Sequence, residues 1–145
     1  MLNRYKNTQN QIKDLLNPQF ASQYPFNILL VEDNIVNQTV ITKMFNRLGY
    51  EITVANDGLE AIAIYNQEQF ELIFMDILMP SLNGLDATKE IRKIQKEKEN
   101  HPVIVAMTAN VMEEDKKACF VAGMDYFISK PIKMDKLVEV LTKVA

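Results

Sequence analysis

Three carboxylates, a hydroxyl and an ammonium group each follow a short apolar run: Glu32 and Asp33 follow FNILLV, Asp76 follows ELIFM, Thr108 follows PVIVAM, and Lys130 follows DYFIS. Taken singly, Thr108 reads as a strand-end cap and Lys130 as a surface lysine beside a proline. Taken together, they read as one acidic, metal-binding site. Carboxylates brought within a few ångströms repel one another, so they must share a proton or bind a cation. Oxygen-only ligands with positions left for water and phosphate suit Mg²⁺, and no thiolate or imidazole is among them for zinc. With Mg²⁺ held by Asp33 and Asp76 and assisted by Glu32 through water, one carboxylate oxygen is placed to attack a phosphoryl group in line. Asp76 is the best nucleophile, because it lies in the middle of the constellation at the end of the central strand. Charge gathered on the phosphoryl oxygens needs positioned donors, and Lys130 and Thr108 supply them.

The elements that must position these residues follow from the pattern between them. Short apolar runs alternating with helical stretches indicate buried parallel strands, and ligands gather outside the carboxyl ends of such strands. FNILLV is the first strand. Asn34 caps a helix in which Val36, Val40, Met44 and Leu48 follow i, i+4 spacing, and Gly49 supplies the left-handed residue that ends it. YEITVA is the second strand, Asp57 caps GLEAIAIYNQEQ, and ELIFMD is the third strand. A loop with Pro80 and Asn83-Gly84 leads to the helix LDATKEIRKIQKEKEN. His101-Pro102 opens PVIVAM, Asn110 begins the helix VMEEDKKACFVA closed by Gly123, and DYFIS with KMDKLVEVLTKV completes a fifth unit. Right-handed crossovers between such units predict a doubly wound α/β sandwich, a five-stranded parallel sheet covered on both faces by helices. The strand order 2-1-3-4-5 puts the first and third strands side by side, with Asp33 and Asp76 facing across the crevice. Residues 1–24, rich in Asn, Gln and Lys, read as a linker or loosely docked helix, and residues 25–145 as the domain.

The composition narrows the function. The 145 residues suit one domain. With 19 acidic against 16 basic residues and no dense basic stripe, direct nucleic-acid binding is not expected. The single cysteine, Cys119, excludes an internal disulfide, sits among apolar neighbours and indicates a reducing, cytoplasmic setting. No apolar run is long enough to span a bilayer, so direct membrane insertion is not expected. The sole histidine, His101, precedes a proline and reads as a turn residue, so a phosphoryl donor must come from another protein or domain.

The segments ILLVEDNIVNQ, ANDGLEA, IFMDILMP, GLDATKEIR, VIVAMTAN and GMDYFISKPI, taken in order, resemble the receiver domains of response regulators, most of all those of hybrid sensor histidine kinases. The resemblance covers residues 26–144 and implies a flavodoxin-like fold. It implies that Asp76 accepts a phosphoryl group from a phosphohistidine, that Glu32 and Asp33 bind Mg²⁺ together with Asp76, and that Leu78 lends the metal a backbone carbonyl. Thr108 and Lys130 would bind the phosphoryl oxygens, and Phe127 would turn inward as Thr108 moves. The Lys130-Pro131 bond matches one that is usually cis in the family. The expected partners are a histidine kinase or a histidine-phosphotransfer domain as donor, docking over Ile35, Val36, Thr39, Pro131 and Ile132, and a downstream protein reading the face around residues 111–120 and 127–138. Either a stand-alone regulator or part of a larger hybrid kinase, itself membrane-bound or not, fits this pattern, and the VEDN…NQ segment favours the second.

Two positions depart from the commoner pattern: Leu78 is apolar where many relatives are polar, and Asn83 replaces an aspartate. Leu78 is placed to shield an acyl phosphate from water, and Asn110 to orient that water. Three other functions compete. An aspartyl-nucleophile phosphatase of the haloacid dehalogenase type needs an acid-base aspartate at position 78 and finds Leu78. A flavin or nucleotide binder would meet repulsion from Glu32-Asp33 in the first turn. A binding-only pseudo-receiver would usually lack part of the constellation, whose five principal groups are all present. Turnover of external substrates is therefore not expected.

Overall fold

The computed structural model describes residues 14–79, 82–109 and 112–145. Pro80, and Asn110 as the start of the fourth unit's helix, lie outside the described residues. The elements run α1 (Phe20–Gln23), β1 (Ile28–Val31), α2 (Ile35–Arg47), β2 (Thr53–Ala55), α3 (Gly58–Gln67), β3 (Leu72–Asp76), α4 (Gly84–Lys98), β4 (Val103–Thr108), α5 (Glu113–Ala122), β5 (Tyr126–Ser129) and α6 (Met134–Val144). The sheet is wholly parallel in the order β2-β1-β3-β4-β5, as the alternating pattern predicts.

Period-two alternation divides the strand side chains between two cores. Leu30, Phe74, Val105, Met107 and Ile128 meet Ile41 and Phe45 of α2 and Leu137 and Leu141 of α6 on one face. Leu29, Val31, Ile73, Met75, Ile104 and Ala106 meet Ala61 and Tyr65 of α3, Ala87 and Ile91 of α4, and Cys119 of α5 on the other. Burial on both faces is why the central strands read as unbroken apolar runs.

Side-chain caps start three helices: Asn34 accepts from Asn37 N–H at 3.0 Å, Asp57 from Glu60 N–H at 2.8 Å, and Asn83 from Asp86 N–H at 2.9 Å. The Val36–Val40–Met44–Leu48 row does not form the buried stripe of α2. Val36 and Val40 are exposed, and Ile41, Phe45 and Leu48 are buried instead. A row of i, i+4 residues advances about 40° around the helix at each step, so a row that ends in the core at Leu48 begins in solvent. The second strand is shorter than YEITVA. Tyr50 N–H closes α2 by donating to Phe45 O at 3.0 Å, so residue 50 belongs to the helix end, and β2 begins at Thr53.

The segment before β1 is packed. Phe20 is 1% exposed within the first core, its ring stacked on Tyr24 at 4.6 Å and edge-on to Tyr50 at 6.1 Å. Ala21 N–H donates to Leu48 O at 2.8 Å, and the Tyr50 hydroxyl donates to Tyr24 O at 2.5 Å. Gly49 ends α2 at φ +93°, and a Cβ there would lie 2.1 Å from Pro18 O, so the turn needs glycine for its conformation and for this contact.

Candidate functional site

Parallel register delivers the site. Val31 pairs with Met75, so the next residues, Glu32 and Asp76, leave the sheet side by side at the switch point between β1 and β3. Asp76 is level with Met107, one residue short of Thr108, and Thr108 is level with Ser129, one residue short of Lys130. Lys130 N–H donates to Thr108 O at 2.8 Å, which ties the ends of β4 and β5 together, and the Lys130-Pro131 bond is cis.

These ends bring the acidic groups into one cluster. Glu32, Asp33 and Asp76 each offer an oxygen, all within 4.8 Å of one another, with Glu32 and Asp76 buried and Asp33 exposed. Lys130 Nζ lies 3.0 Å from Asp76 Oδ1 and 3.1 Å from Glu32 Oε2. Leu78 N–H also donates to Asp76 Oδ1, at 3.3 Å. Burial pushes the Asp76 carboxyl up to about 7, and a hydrogen bond and the charge of Glu32 add to the rise against the pull of Lys130. Burial pulls the Lys130 ammonium down, but hydrogen bonding and attraction to Asp76 and Glu32 outweigh it and raise the group overall.

This donor set fits a small divalent cation. Two octahedral ligands on opposite sides of Mg²⁺ are separated by about twice its ~2.1 Å bond length, close to the spread of these oxygens. A bound cation also offsets the burial and the neighbouring Glu32 charge that raise the Asp76 carboxyl.

The remaining expected residues lie around this cluster. Thr108 is buried at the end of β4. Leu78 is 77% exposed beside the acceptor position. Phe127 is partly buried against the second core, with Lys116 Nζ 4.5 Å from its ring centre. Ile35, Val36 and Thr39 are exposed on the first turns of α2. A cavity of about 450 Å³ separates Val40 and Ile41 from Pro131 and Ile132.

Three further residues shape the site and were not singled out from the sequence. Asn37 Nδ2 donates to Glu32 Oε1 at 2.7 Å, and Gln38 Nε2 donates to Glu32 O at 2.5 Å. Their only sequence signal is their place in the VEDN…NQ segment. Gly84 presses on the acceptor's own backbone: a Cβ there would lie 2.2 Å from Asp76 O and 2.9 Å from Ile77 Cα. Neither contact is with a flexible side-chain end, so Gly84→Ala must displace the backbone at Asp76 and Ile77. The expected result is a loss of about 1–3 kcal/mol together with weaker Mg²⁺ binding, measured by urea unfolding and cation titration. Wild-type values in both would mean the Asp76–Ile77 backbone yields freely.

The profile of the response regulator receiver domain matches residues 28–142. Histidine protein kinase 1 of Candida albicans is 42% identical over 132 residues, which is 86% of this chain but only 5% of the kinase. The receiver domain of the sensor histidine kinase PA1611 from Pseudomonas aeruginosa, solved with magnesium in its active-site cleft, superposes with a TM-score of 0.73 at 40% identity, covering 81% of this chain and 95% of that one. The receiver domain of Ssk1 from Saccharomyces cerevisiae, solved with the histidine phosphotransfer protein Ypd1, superposes with a TM-score of 0.75 at 30% identity, covering 81% of this chain and 86% of the matched chain. Among the described residues no helix is long and apolar enough to cross a membrane. A parallel sheet in this order, its acidic cluster at the switch point and the match over most of its length place the chain in the response regulator receiver family, whose members are signalling modules of phosphorelays and not metabolic enzymes.

Proposed function

We propose that Asp76 accepts a phosphoryl group from a phosphohistidine of a histidine kinase or histidine-phosphotransfer domain, with Mg²⁺ as cofactor. The observation that carries this reading is the convergence of Glu32, Asp33 and Asp76 within 4.8 Å of one another, with the Lys130 ammonium 3.0 Å from Asp76. A carboxylate oxygen of Asp76 forms the new P–O bond as the P–N bond breaks, and the electron pair leaves with the imidazole nitrogen. Lys130 pairs with Asp76 before transfer and with the phosphoryl oxygens after it, and the Thr108 hydroxyl donates to one of those oxygens. Glu32, Asp33, Asp76 and the Leu78 carbonyl would hold Mg²⁺, which when bound offsets the charge shared between carboxylate and phosphoryl oxygens.

Partner docking is assigned to the exposed start of α2 at Ile35, Val36 and Thr39 and to Pro131 and Ile132 across the adjoining cavity. The complex of the Ssk1 receiver with a phosphotransfer protein supports a donor of that class. Inward rotation of Phe127 would then alter the α5–β5–α6 face that a downstream protein reads. The cytoplasm is the assigned compartment, whether or not a larger parent protein is anchored in a membrane. The domain itself is taken to include residues 17–24, because Phe20 belongs to its core.

Incubation with Mg²⁺ and acetyl phosphate tests the function. The expected product is an acid-stable, base-labile adduct carrying one phosphoryl group at Asp76, and beryllofluoride is expected to shift the Phe127 environment. Absence of both would leave a binding-only module. The exposed Leu78 side chain beside the acceptor carries a separate prediction. Leu78→Gln should change the decay of the adduct more than its formation, and equal decay rates in the two proteins would rule out a shielding role.

A further inference from the structure

We infer that Asn37 and Gln38 are positioning residues of the acidic site, Asn37 acting on the Glu32 carboxylate and Gln38 on the Glu32 backbone; the inference rests on the phosphoacceptor reading above. Glu32 is fully buried, so its carboxylate depends on protein donors. Lys130 supplies one, 3.1 Å from Oε2 and 3.4 Å from Oε1, but the same ammonium serves Asp76 at 3.0 Å. Among the described residues Asn37 Nδ2 supplies a second, and the shorter contact, 2.7 Å from Oε1. Removing that amide leaves Glu32 to draw more on Lys130 and pulls the ammonium away from the acceptor. The amide is also the right chemical type. A carboxylate at position 37 would repel Glu32, and a cationic side chain would oppose a divalent ion in the same site, whereas an amide donates without adding charge.

The geometry holds the amide in place. Asn37 stands in the first turn of α2, where its own N–H is fixed by the Asn34 cap at 3.0 Å. Gln38, the next residue, points its Nε2 to two acceptors, Glu32 O at 2.5 Å and Asn56 Oδ1 at 2.9 Å. Asn56 in turn donates to the Glu60 carboxylate at 3.0 Å. The backbone of the acidic loop after β1 is thereby tied to the loop after β2, and its carboxylate to the helix that follows it. The two amides thus act on both the carboxylate and the backbone of Glu32, beside the Lys130 ammonium and the Glu32 N–H bond to Ala55 O at 3.1 Å.

A double-mutant cycle separates this role from a general one in folding. Mg²⁺ affinity, measured by isothermal titration, is compared for the wild type, Asn37→Leu, Glu32→Gln and the double variant, with thermal unfolding recorded for each. Asn37→Leu is expected to weaken Mg²⁺ binding roughly tenfold, the low end of what loss of such an outer partner costs. In the Glu32→Gln background the same change is expected to have almost no effect. Gln38→Leu, which acts through the backbone, should weaken binding in both backgrounds. Additive effects of Asn37→Leu and Glu32→Gln, or wild-type affinity in Asn37→Leu, would overturn the inference. Asn37→Ala completes the same cycle should the leucine variant fold poorly. Because the readout is cation binding, it stands even if the wild type forms no adduct, a result that would sink the phosphoacceptor reading alone.

Discussion

Asp76→Asn is expected to abolish the base-labile adduct and, with divalent cations chelated, to make the protein more stable than the wild type at pH 8. The two effects share one cause. Asp76 is buried beside Glu32, and its carboxyl is pushed up to about 7 from an ordinary value of 3.8. Between those values the native state keeps a proton that the unfolded chain has released, so wild-type stability falls as pH rises through this window, and the loss is complete above it. A shift of about three units corresponds to at most about 4 kcal/mol at 1.36 kcal/mol per unit. The contribution of Lys130 is already inside that balance. Asparagine has no proton to release there, so urea unfolding of the variant in chelator should lack this slope between pH 4 and 7 and show a gain of about 2–3 kcal/mol at pH 8. Saturating Mg²⁺ should narrow the gap, because a ligand that binds only the folded wild type stabilises it by mass action. A variant no more stable than the wild type in chelator, or with the same pH slope, would refute the assignment of a strained acidic pair.

Phe20→Ala is expected to cost about 3 kcal/mol, as for other fully buried phenylalanines, and to lower the melting temperature by roughly 10 °C. Phe20 joins the core formed with Phe45, Leu48 and Tyr50, and Tyr24 stacks upon it. Removal of residues 1–24 should cost at least as much, since it also uncovers Tyr50 and removes the Ala21 N–H bond to Leu48 O. Phosphoryl labelling of Phe20→Ala should persist below its melting temperature, because the segment lies against the carboxyl-terminal end of α2, whereas the acidic site adjoins its amino-terminal end. An unchanged urea midpoint would make the segment a linker that merely rests on the domain.

The succession of strands and helices and the polar residues at the strands' carboxyl ends were legible in the chain because they depend on local regularities. Unbroken apolar runs mark strands buried on both faces, Asn34, Asp57 and Asn83 cap helices through side chains only three residues from their partners, and Glu32, Asp33, Asp76, Thr108 and Lys130 each stand directly at or after the end of a run. Contacts between distant segments left no such trace. Phe20 lies in a polar stretch that resembles a linker, and its ring contacts with Tyr24 and Tyr50 bring it into the core that holds Phe45. Val36 and Val40 have helical spacing, but which side of α2 meets the sheet depends on the orientation of the whole helix, and Phe45 with Ile41 takes that side.

The site divides in the same way. Residue type and spacing alone pointed to a cluster of carboxylates at the carboxyl ends of parallel strands, because backbone register carries such residues together once the strand order is given. Only the tertiary structure assigned Asn37 to the Glu32 carboxylate, Gln38 to its carbonyl and Gly84 to the space beneath Asp76. Hydrogen bonds and close packing are decided over a few tenths of an ångström between segments remote in the chain, a precision that hydrophobic periodicity does not encode.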